Sequence, residues 1–415
     1  MILFVGVLCA VLPGLPREPG VVDPGAGLRA LDSTLVLRPG VVRAIVGSSV
    51  SIEVDHTGTN VPLSDIVALV PSSWNGAVRN LPVVQPPMRI GALPQNVRYG
   101  VLFTTAGEII PGHPARQPSA TADHAAWESS MLGRLEVSLE EIDAIYFSGS
   151  GPAESGAEPG DETETATTDV LTLDNGDRVM GFVSGIGASV TIDSASEPLS
   201  LDRIAAINLS NPPTDPTMPL IWCKDGSVLG VSAIAKAAGE DFRVARTPTD
   251  GAPAVGVNLR PGDLRAVNFV PSRLIPLSQM GPGDWVSHGT RRWSPGPQRS
   301  GPGAGLAAAP LRFFGPGTAT WPLPVGAGRF AATLELPAEC RGWGNPTVTL
   351  SVQTAAESVV VWSGALDRAS PTANVNVALV VSESPRTLAL TIEVGDGVQN
   401  EVSLWNALVL KTAEQ

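Results

Sequence analysis

A five-residue motif that recurs four times constrains the fold of this chain more than any other feature. In each copy a polar residue is followed by isoleucine or leucine, any residue, alanine and an aliphatic residue, as in "EIDAI" (141–145) and "RIAAI" (203–207). Successive copies lie about 60 to 75 residues apart, which predicts complete small domains rather than a solenoid. We expect the shared alanines to fill equivalent positions in the interior of each domain; they are Ala68, Ala144, Ala206 and Ala266.

A strand, a glycine turn and a second, bent strand precede the motif. The clearest copy is "VLTLDNGDRVMG" (170–181), whose Asn-Gly pair is the strongest short signal for a tight hairpin. The turn glycines supply a positive φ angle, and the later glycines fall where a strand must bend. The turn positions are Gly107, Gly176 and Gly226, and the bend positions are Gly112, Gly181 and Gly230. The first copy has Gly40 but no second glycine at the expected distance.

The repeats define four predicted β modules. Modules 1 to 4 cover residues 30–95, 96–147, 169–213 and 217–272. Their order of strand, glycine turn, bent strand, alternating strands and final apolar strand resembles the Sm-like small β-barrel, especially the degenerate barrels in exported proteins of planctomycete-type bacteria. Sm barrels that bind RNA use polar and basic loop residues, whereas the loops here read "DNGD" and "KDGS". The resemblance therefore implies small barrels without RNA binding.

The composition and the hydrophobic pattern of the chain change after module 4. Residues 273–310 form a Gly/Pro-rich connection, and from residue 311 apolar and polar residues alternate with period two, as in "NVNVALVV" (374–381). Six or more such strands in about a hundred residues predict an antiparallel β-sandwich over 311–415. The predicted fold class is all-β: tandem small β-barrel modules followed by an antiparallel β-sandwich of jelly-roll type.

Three stretches of this C-terminal region resemble the NPCBM family of carbohydrate-binding modules. They are "FFGPGTATWPLP" (313–324), "VTLSVQTAAESVVVWSG" (348–364) and "EVSLWNALVL" (401–410). In the last stretch Trp405 matches the family pattern, Ala407 comes one residue early, and Glu401 stands where the family has Asp. The resemblance implies a galactose-binding-like jelly roll and a glycan as its ligand.

Charge and the N-terminal segment bear on the location and the partners of the protein. Residues 1–16, "MILFVGVLCAVLPGLP", suit a secretory signal peptide and are too short for a membrane span of about 20 residues. An uncleaved anchor and a misplaced start codon are the alternatives. We expect an exported protein, periplasmic, secreted or on the cell surface, with no later membrane span. Residues 148–168 are acidic and almost free of large apolar side chains, which predicts a flexible linker. The net charge of −13 disfavours nucleic-acid partners.

One loop combines the residue types that recognise sugars. Sugar sites place an aromatic face against the C–H groups of the ring and surround it with hydrogen-bond donors and acceptors. The sequence "CRGWGN" (340–345) brings Arg341, Trp343 and Asn345 into one glycine-flanked loop. We predict these three residues as the carbohydrate-binding residues, with a Trp343 side chain folded onto the sandwich rim as the alternative. Trp362 and Trp405 lie within strands and are expected in the core.

The inventory for catalysis is thin. The four histidines form no metal-binding pair, and no serine lies in a Gly-x-Ser-x-Gly frame. Asp123, His124 and Glu128 lie close together in the sequence "DHAAWE", where we expect a solvated loop. We therefore expect no catalytic residue, no metal and no cofactor. Glycan or envelope polysaccharide binding is the leading hypothesis, with protein partners open. A purely structural protein and a hydrolase with a site at an inter-domain cleft are the two alternatives.

Overall fold

A computed structural model describes most of the chain. The described residues are 27–71, 99–115, 117, 119, 123–147, 167–246, 255–260, 262–280, 284–288, 306, 310–395 and 400–412. The predicted signal peptide and nearly all of the predicted acidic linker lie outside these residues, so both stay predictions. Within the described residues the regular structure consists of β-strands and short 3-10 turns, which confirms the all-β class.

Modules 1 and 2 each contain five strands, and a 3-10 turn precedes the fifth. Module 1 comprises β1 (Leu28–Asp32), β2 (Val41–Val46), β3 (Ser49–Val54), β4 (Thr57–Pro62) and β5 (Ile66–Pro71). Module 2 comprises β6 (Gly100–Thr104), β7 (Ile109–Pro114), β8 (His124–Ser129), β9 (Gly133–Ser138) and β10 (Ile142–Phe147). In both modules the first strand pairs antiparallel with the last, so the module closes on itself.

Modules 3 and 4 contain six strands each and close in the same way. Module 3 comprises β11 (Asp169–Leu173), β12 (Arg178–Gly181), β13 (Val183–Ile186), β14 (Ser189–Ile192), β15 (Leu199–Ser200) and β16 (Ile204–Asn208). Module 4 comprises β17 (Leu220–Cys223), β18 (Val228–Gly230), β19 (Ala233–Lys236), β20 (Phe242–Arg246), β21 (Val255–Leu259) and β22 (Leu264–Asn268). In module 3 the bent strand is split into β12 and β13 at Gly181.

One hydrogen bond recurs in all four modules and shows that they repeat one pattern. The residue after the first strand donates its N–H to the carbonyl oxygen of the residue before the last strand. The four pairs are Ser33 to Asp65, Thr105 to Glu141, Asp174 to Arg203 and Lys224 to Asp263. The motif alanines therefore lie on equivalent strands, as the repeat predicts.

The same alanines do not fill the module interiors, and this part of the expectation is wrong. Side chains alternate across a strand, so the residue after each alanine faces the opposite way. Ile207 and Val267 lie in the large core enclosed by the modules, whereas Ala266 packs in a separate cluster on the outer face of the sheet. The alanines thus face outward from the modules.

Leu35 explains why module 1 is the poorest copy. Its φ angle is +56°, at the turn position where modules 2, 3 and 4 have Gly107, Gly176 and Gly226. The Leu35 N–H donates to the Asp32 carbonyl at 2.9 Å, the same bond that the turn glycines make. A left-handed leucine is strained by roughly 1 to 2 kcal/mol. Its side chain is buried in the outer-face cluster, and that burial offsets the strain.

A single thirteen-stranded sheet joins the four modules, which the sequence does not predict. The strand order is β1-β5-β22-β17-β18-β7-β6-β10-β16-β11-β12, with β8 and β9 attached through β7. The last strands of modules 1 and 4 pair at Leu69 and Val267, and those of modules 2 and 3 pair at Ile145 and Ile207. The two halves meet where β18 pairs with β7. The spatial order of the modules is therefore 1-4-2-3.

The C-terminal domain is an antiparallel sandwich, as predicted. Its strands are β23 (Leu274–Pro276), β24 (Asp284–Ser287), β25 (Leu311–Phe314), β26 (Gly317–Leu323), β27 (Ala327–Glu335), β28 (Thr347–Gln353), β29 (Ser358–Ala365), β30 (Thr372–Ala378), β31 (Arg386–Glu393) and β32 (Glu401–Lys411). One sheet has the order β23-β32-β27-β30 with β25 also on β32, and the other has β24-β26-β31-β28-β29. The strands β23 and β24 lie in the segment 273–310, which was predicted as a connection. The sequence did not predict them because they are too short to show an alternating pattern.

Apolar side chains of the sandwich pack on the outer face of the thirteen-stranded sheet. Leu408 and Leu410 of β32 join Leu274 and Leu306 in one buried cluster with residues of modules 1 and 4. The Asn376 side chain adds a polar contact, because its Nδ2 donates to the Thr34 carbonyl at 2.9 Å. The sandwich is therefore docked on half of that sheet.

Candidate functional site

The predicted sugar-binding loop follows β27 and is held tightly by its own backbone. A 3-10 turn, Ala338–Cys340, opens it, and the buried Cys340 side chain anchors it. The N–H groups of Trp343 and Gly344 both donate to the Cys340 carbonyl, at 3.0 and 2.8 Å. Trp343 is 68% exposed, more than any other Trp, Tyr or Phe among the described residues. The alternative of a Trp343 folded onto the rim is therefore wrong.

Arg341 is held in place by β27. Its Nη2 atom donates to Glu335 Oε1 at 2.8 Å, and its Nε donates to the Leu336 carbonyl at 3.1 Å. The other oxygen of Glu335 accepts a hydrogen bond from the Trp405 indole at 2.7 Å. Trp405 and Trp362, both expected in the core, are half-buried instead. One carboxylate thus orients both a guanidinium and a second tryptophan.

Asn345 is positioned by a different loop. It is half-buried and packs against Gly395, where an added Cβ would lie 2.6 Å from the Asn345 Cγ. The structure therefore places Arg341 and Trp343 in one hydrogen-bonded turn and packs Asn345 against the segment that follows β31. The predicted carbohydrate-binding role of all three residues stays a prediction.

A second ionic cluster lies beside the loop. The Arg312 Nη1 atom lies 3.5 Å from Glu401 Oε1 and 3.9 Å from Glu339 Oε1. The Cys340 thiol points at Glu401 Oε2, with 3.9 Å between sulfur and oxygen. Burial raises the pKa of Glu401, and the Arg312 charge opposes that shift. Burial, reinforced by Glu401, raises the pKa of Cys340 to about 11, so its sulfur stays a protonated thiol at neutral pH.

Sequence reasoning missed Glu335, Arg312 and Glu339 as neighbours of the loop. The strand register brings the first two together, since Ser403 of β32 pairs with Arg312 on one side and with Glu335 on the other. Glu339 was visible as part of the loop, but its partner lies on a strand far away in sequence. No local sequence pattern indicates which residues become neighbours across β25, β32 and β27.

The residues weighed for catalysis do not form one cluster. Most of "DHAAWE" forms β8, with Ala125, Ala126 and Trp127 buried, so the expected solvated loop is wrong. Asp123 Oδ1 lies 2.9 Å from His124 Nδ1 at the start of this strand, whereas Glu128 lies four residues further along it, with its carboxylate 3.7 Å from His113. Among the residues that the structure describes, no group of three His, Cys, Asp or Glu side chains is placed to hold a metal. Within the same residues no helix is long and apolar enough to cross a membrane.

Comparison with known proteins gives structural neighbours only. No family model matches the chain. No curated protein matches it either. CBM51 from Clostridium perfringens GH95, in complex with methyl-galactose, matches at 13% identity with a TM-score of 0.22, over 33% of this chain and 99% of that one. The CBM51-2 and INT domains from Clostridium perfringens ZmpB match at 10% identity with a TM-score of 0.24, over 44% of this chain and 40% of that one.

A third neighbour covers most of this chain. The tandem CBM51 modules of Sp3GH98, the family 98 glycoside hydrolase from Streptococcus pneumoniae SP3-BS71, match at 10% identity with a TM-score of 0.24, over 93% of this chain and 88% of that one. All three neighbours are or contain carbohydrate-binding modules. At identities and TM-scores this low, the similarities carry no argument about the ligand of this chain, and its fold rests on its own strand pairing.

Proposed function

We propose that this protein binds glycans through its C-terminal sandwich, with Trp343 as the main contact. The exposure of Trp343 on a hydrogen-bonded turn is the observation that carries the proposal. A large aromatic side chain loses favourable burial when it stays in water, so such exposure suits a surface that buries the ring against a ligand. The flat indole face matches the C–H face of a sugar ring.

Arg341 supplies direction to the same site. A guanidinium has five N–H donors, and the structure commits only part of them to Glu335 and to the Leu336 carbonyl. The remaining donors are available to sugar hydroxyls on a side chain that is already held in place. A donor fixed in advance loses little freedom on binding, which favours affinity.

The wider proposal follows the resemblances seen in the sequence. The sandwich is an NPCBM-like jelly roll, the modules are Sm-like barrels that support it, and the protein is exported and non-catalytic. The apolar N-terminal segment motivates export, and the motifs around Phe313 and Trp405 motivate the family assignment.

Glycan-array screening of the full chain, followed by calorimetry on the best ligand, tests the binding proposal. We expect affinities on the order of micromolar to millimolar, because a shallow single-sugar site buries little surface. Trp343→Ala should abolish binding without changing the thermal melt, and Trp343→Phe should keep part of it. Phe182→Ala is the matched control, since Phe182 is 55% exposed on module 3.

Three outcomes would contradict the proposal. Unchanged binding by Trp343→Ala would place the ligand elsewhere. A loss of about 3 to 5 kcal/mol in stability would show that Trp343 packs instead of binding. A wild-type chain that binds no glycan on the array would favour the purely structural alternative.

A further inference from the structure

The outer face of the thirteen-stranded sheet has a covered half and an open half. On modules 1 and 4 the outward side chains are buried beneath the sandwich, in the cluster that contains Leu408 and Leu410. Its members from the sheet include Leu31, Ala68, Val70, Leu220, Trp222, Val228 and Ala266. Ile109 of module 2, paired with Val228, packs at the border of that cluster. The same face then continues onto modules 2 and 3.

The open half carries apolar and aromatic side chains at the matching positions. Tyr146 is 42% exposed and Met180 is 61% exposed. The half-buried residues Val101, Phe103 and Val170 complete this patch. We call the five residues together the open face. The rings of Phe103 and Tyr146 meet edge to face, with centroids 5.6 Å apart. The patch is therefore largely apolar, and Asn208, which accepts a hydrogen bond from the Tyr146 hydroxyl at 3.1 Å, and Thr172 are the polar residues between its apolar members.

Equivalent residues of modules 4 and 2 differ in burial, because the sandwich covers module 4 and leaves the outer face of module 2 uncovered. Trp222 of module 4, 6% exposed, corresponds to Phe103 of module 2, because both lie opposite the motif alanine of their own last strand. Asn268, 1% exposed and bonded through Nδ2 to the Leu274 carbonyl, corresponds to Tyr146. The sandwich thus buries, on modules 1 and 4, positions whose equivalents on modules 2 and 3 are half-buried or exposed.

The β12 edge of this sheet is a poorer place for association than its face. At the junction of the two halves, Ile109 and Val228 lie opposite each other across β7 and β18. The corresponding residue of module 3 is the exposed Arg178 on β12. Two copies joined by this edge in the same register would set two arginines opposite each other, which is destabilising. A charged residue on an edge strand is a common barrier to such pairing.

We propose that the open face of modules 2 and 3 binds the same face of a second copy of this chain, across a two-fold axis. Its continuity with a face that the protein already buries against a β-sheet supports a flat, apolar, sheet-like partner. The patch also carries the exposed Arg178 and, beside Tyr146, the exposed Asp143. A patch with both signs of charge suits the self-complementary contact that a two-fold axis requires.

Sedimentation velocity of the full chain over a concentration series tests this proposal. We expect a monomer–dimer equilibrium for the wild type. Met180→Glu and Tyr146→Glu, both at exposed positions, should each raise the dimer dissociation constant at least about tenfold, since each buries a carboxylate in an apolar contact. Val286→Glu is the matched control, because Val286 is 61% exposed on the sandwich, and it should leave the equilibrium unchanged. Thermal melts of each variant confirm that it is folded.

The salt dependence separates a contact through the face from one through charges. An apolar contact should persist when NaCl is raised to about 1 M, where surface charges are screened within roughly 3 Å. A wild type that stays monomeric at its highest soluble concentration would overturn the proposal. A dimer that both variants leave intact would also overturn it and point to another surface.

Discussion

Glu108 and Arg246 form a buried ion pair between modules 2 and 4. Each side chain is only 7% exposed, and Arg246 Nη2 lies 2.8 Å from Glu108 Oε2. The Arg246 Nε also donates to Glu108 Oε1 at 3.1 Å, and the Gly230 N–H donates to the same oxygen at 2.7 Å. Removal of either partner leaves a buried charge without its counter-ion. We predict a large loss of stability from each single substitution and a much smaller loss from the two together.

The magnitude follows from burial. Removing one partner of such a pair costs about 3 to 5 kcal/mol, or roughly a hundred-fold to several-thousand-fold in the unfolding equilibrium. We expect this cost for Arg246→Met and for Glu108→Leu. The double variant replaces both charges with apolar groups of similar size and should lie within about 2 kcal/mol of the wild type. The coupling between the two sites should therefore be several kcal/mol.

Urea unfolding followed by tryptophan fluorescence measures the effect, since Trp127 and Trp222 report modules 2 and 4. Arg243→Met is the control, because the Arg243 side chain is 72% exposed and its ion pair with Glu240 should contribute less than about 1 kcal/mol. Single variants that all remain within about 1 kcal/mol of the wild type would refute the reasoning. Additive costs in the double variant would show that the two groups do not act as a pair.

Three further predictions rest on single positions. Gly112→Ala should destabilise module 2 by about 1 to 3 kcal/mol in urea unfolding, since its Cβ would lie 2.6 Å from Trp127 Nε1 and collide with the Glu128 carbonyl, whereas Gly256→Ala has open space and should cost little. Ala266→Leu should cost about 1 to 3 kcal/mol beneath the sandwich, and Ala206→Leu on the open face should cost less; equal costs would contradict the two-halves description. Glu401→Gln should flatten the pH dependence of the thermal melt: burial raises the folded pKa above the ordinary 4.5, so the wild type loses stability as pH rises from that value through the folded pKa, and an unchanged profile would contradict this.

The repeat was predictable because its signals are local. A turn glycine, a bend glycine and the final alanine strand are set within about 45 residues, and each follows from backbone geometry that a short stretch of chain determines. Leu35 shows the limit of that reasoning. It takes the left-handed position of a glycine because the sandwich buries its side chain, and that burial partner lies far along the chain. Module 1 therefore departs from the repeat pattern because of a contact with a distant part of the chain, and not because of its local sequence alone.

The module order was not predictable, because it depends on which strand edges find each other. Nothing in the motif distinguishes the last strand of module 4, which pairs with module 1, from that of module 3, which pairs with module 2. The outward direction of the motif alanines was missed for the same reason, since a face becomes inner or outer only when a neighbouring layer is known. Knowledge of the covering layer is thus what local patterns lack.

The candidate site divides in the same way. The turn around Trp343 could be read from "CRGWGN", because glycines flank an aromatic residue between two strands. Its fixed partners could not, because Glu335 reaches Trp405 through the register of β27 on β32 and reaches Arg341 through the path of the loop that follows β27. The register decides which polar groups are already paired and which are free for a ligand. A Glu335→Gln variant therefore tests whether this pairing matters for binding. The substitution keeps the shape of the side chain and weakens its hold on the Arg341 guanidinium. We expect it to reduce glycan affinity while Trp343 stays exposed. Equal affinity in calorimetry would mean that the ion pair between Glu335 and Arg341 does not contribute to ligand binding.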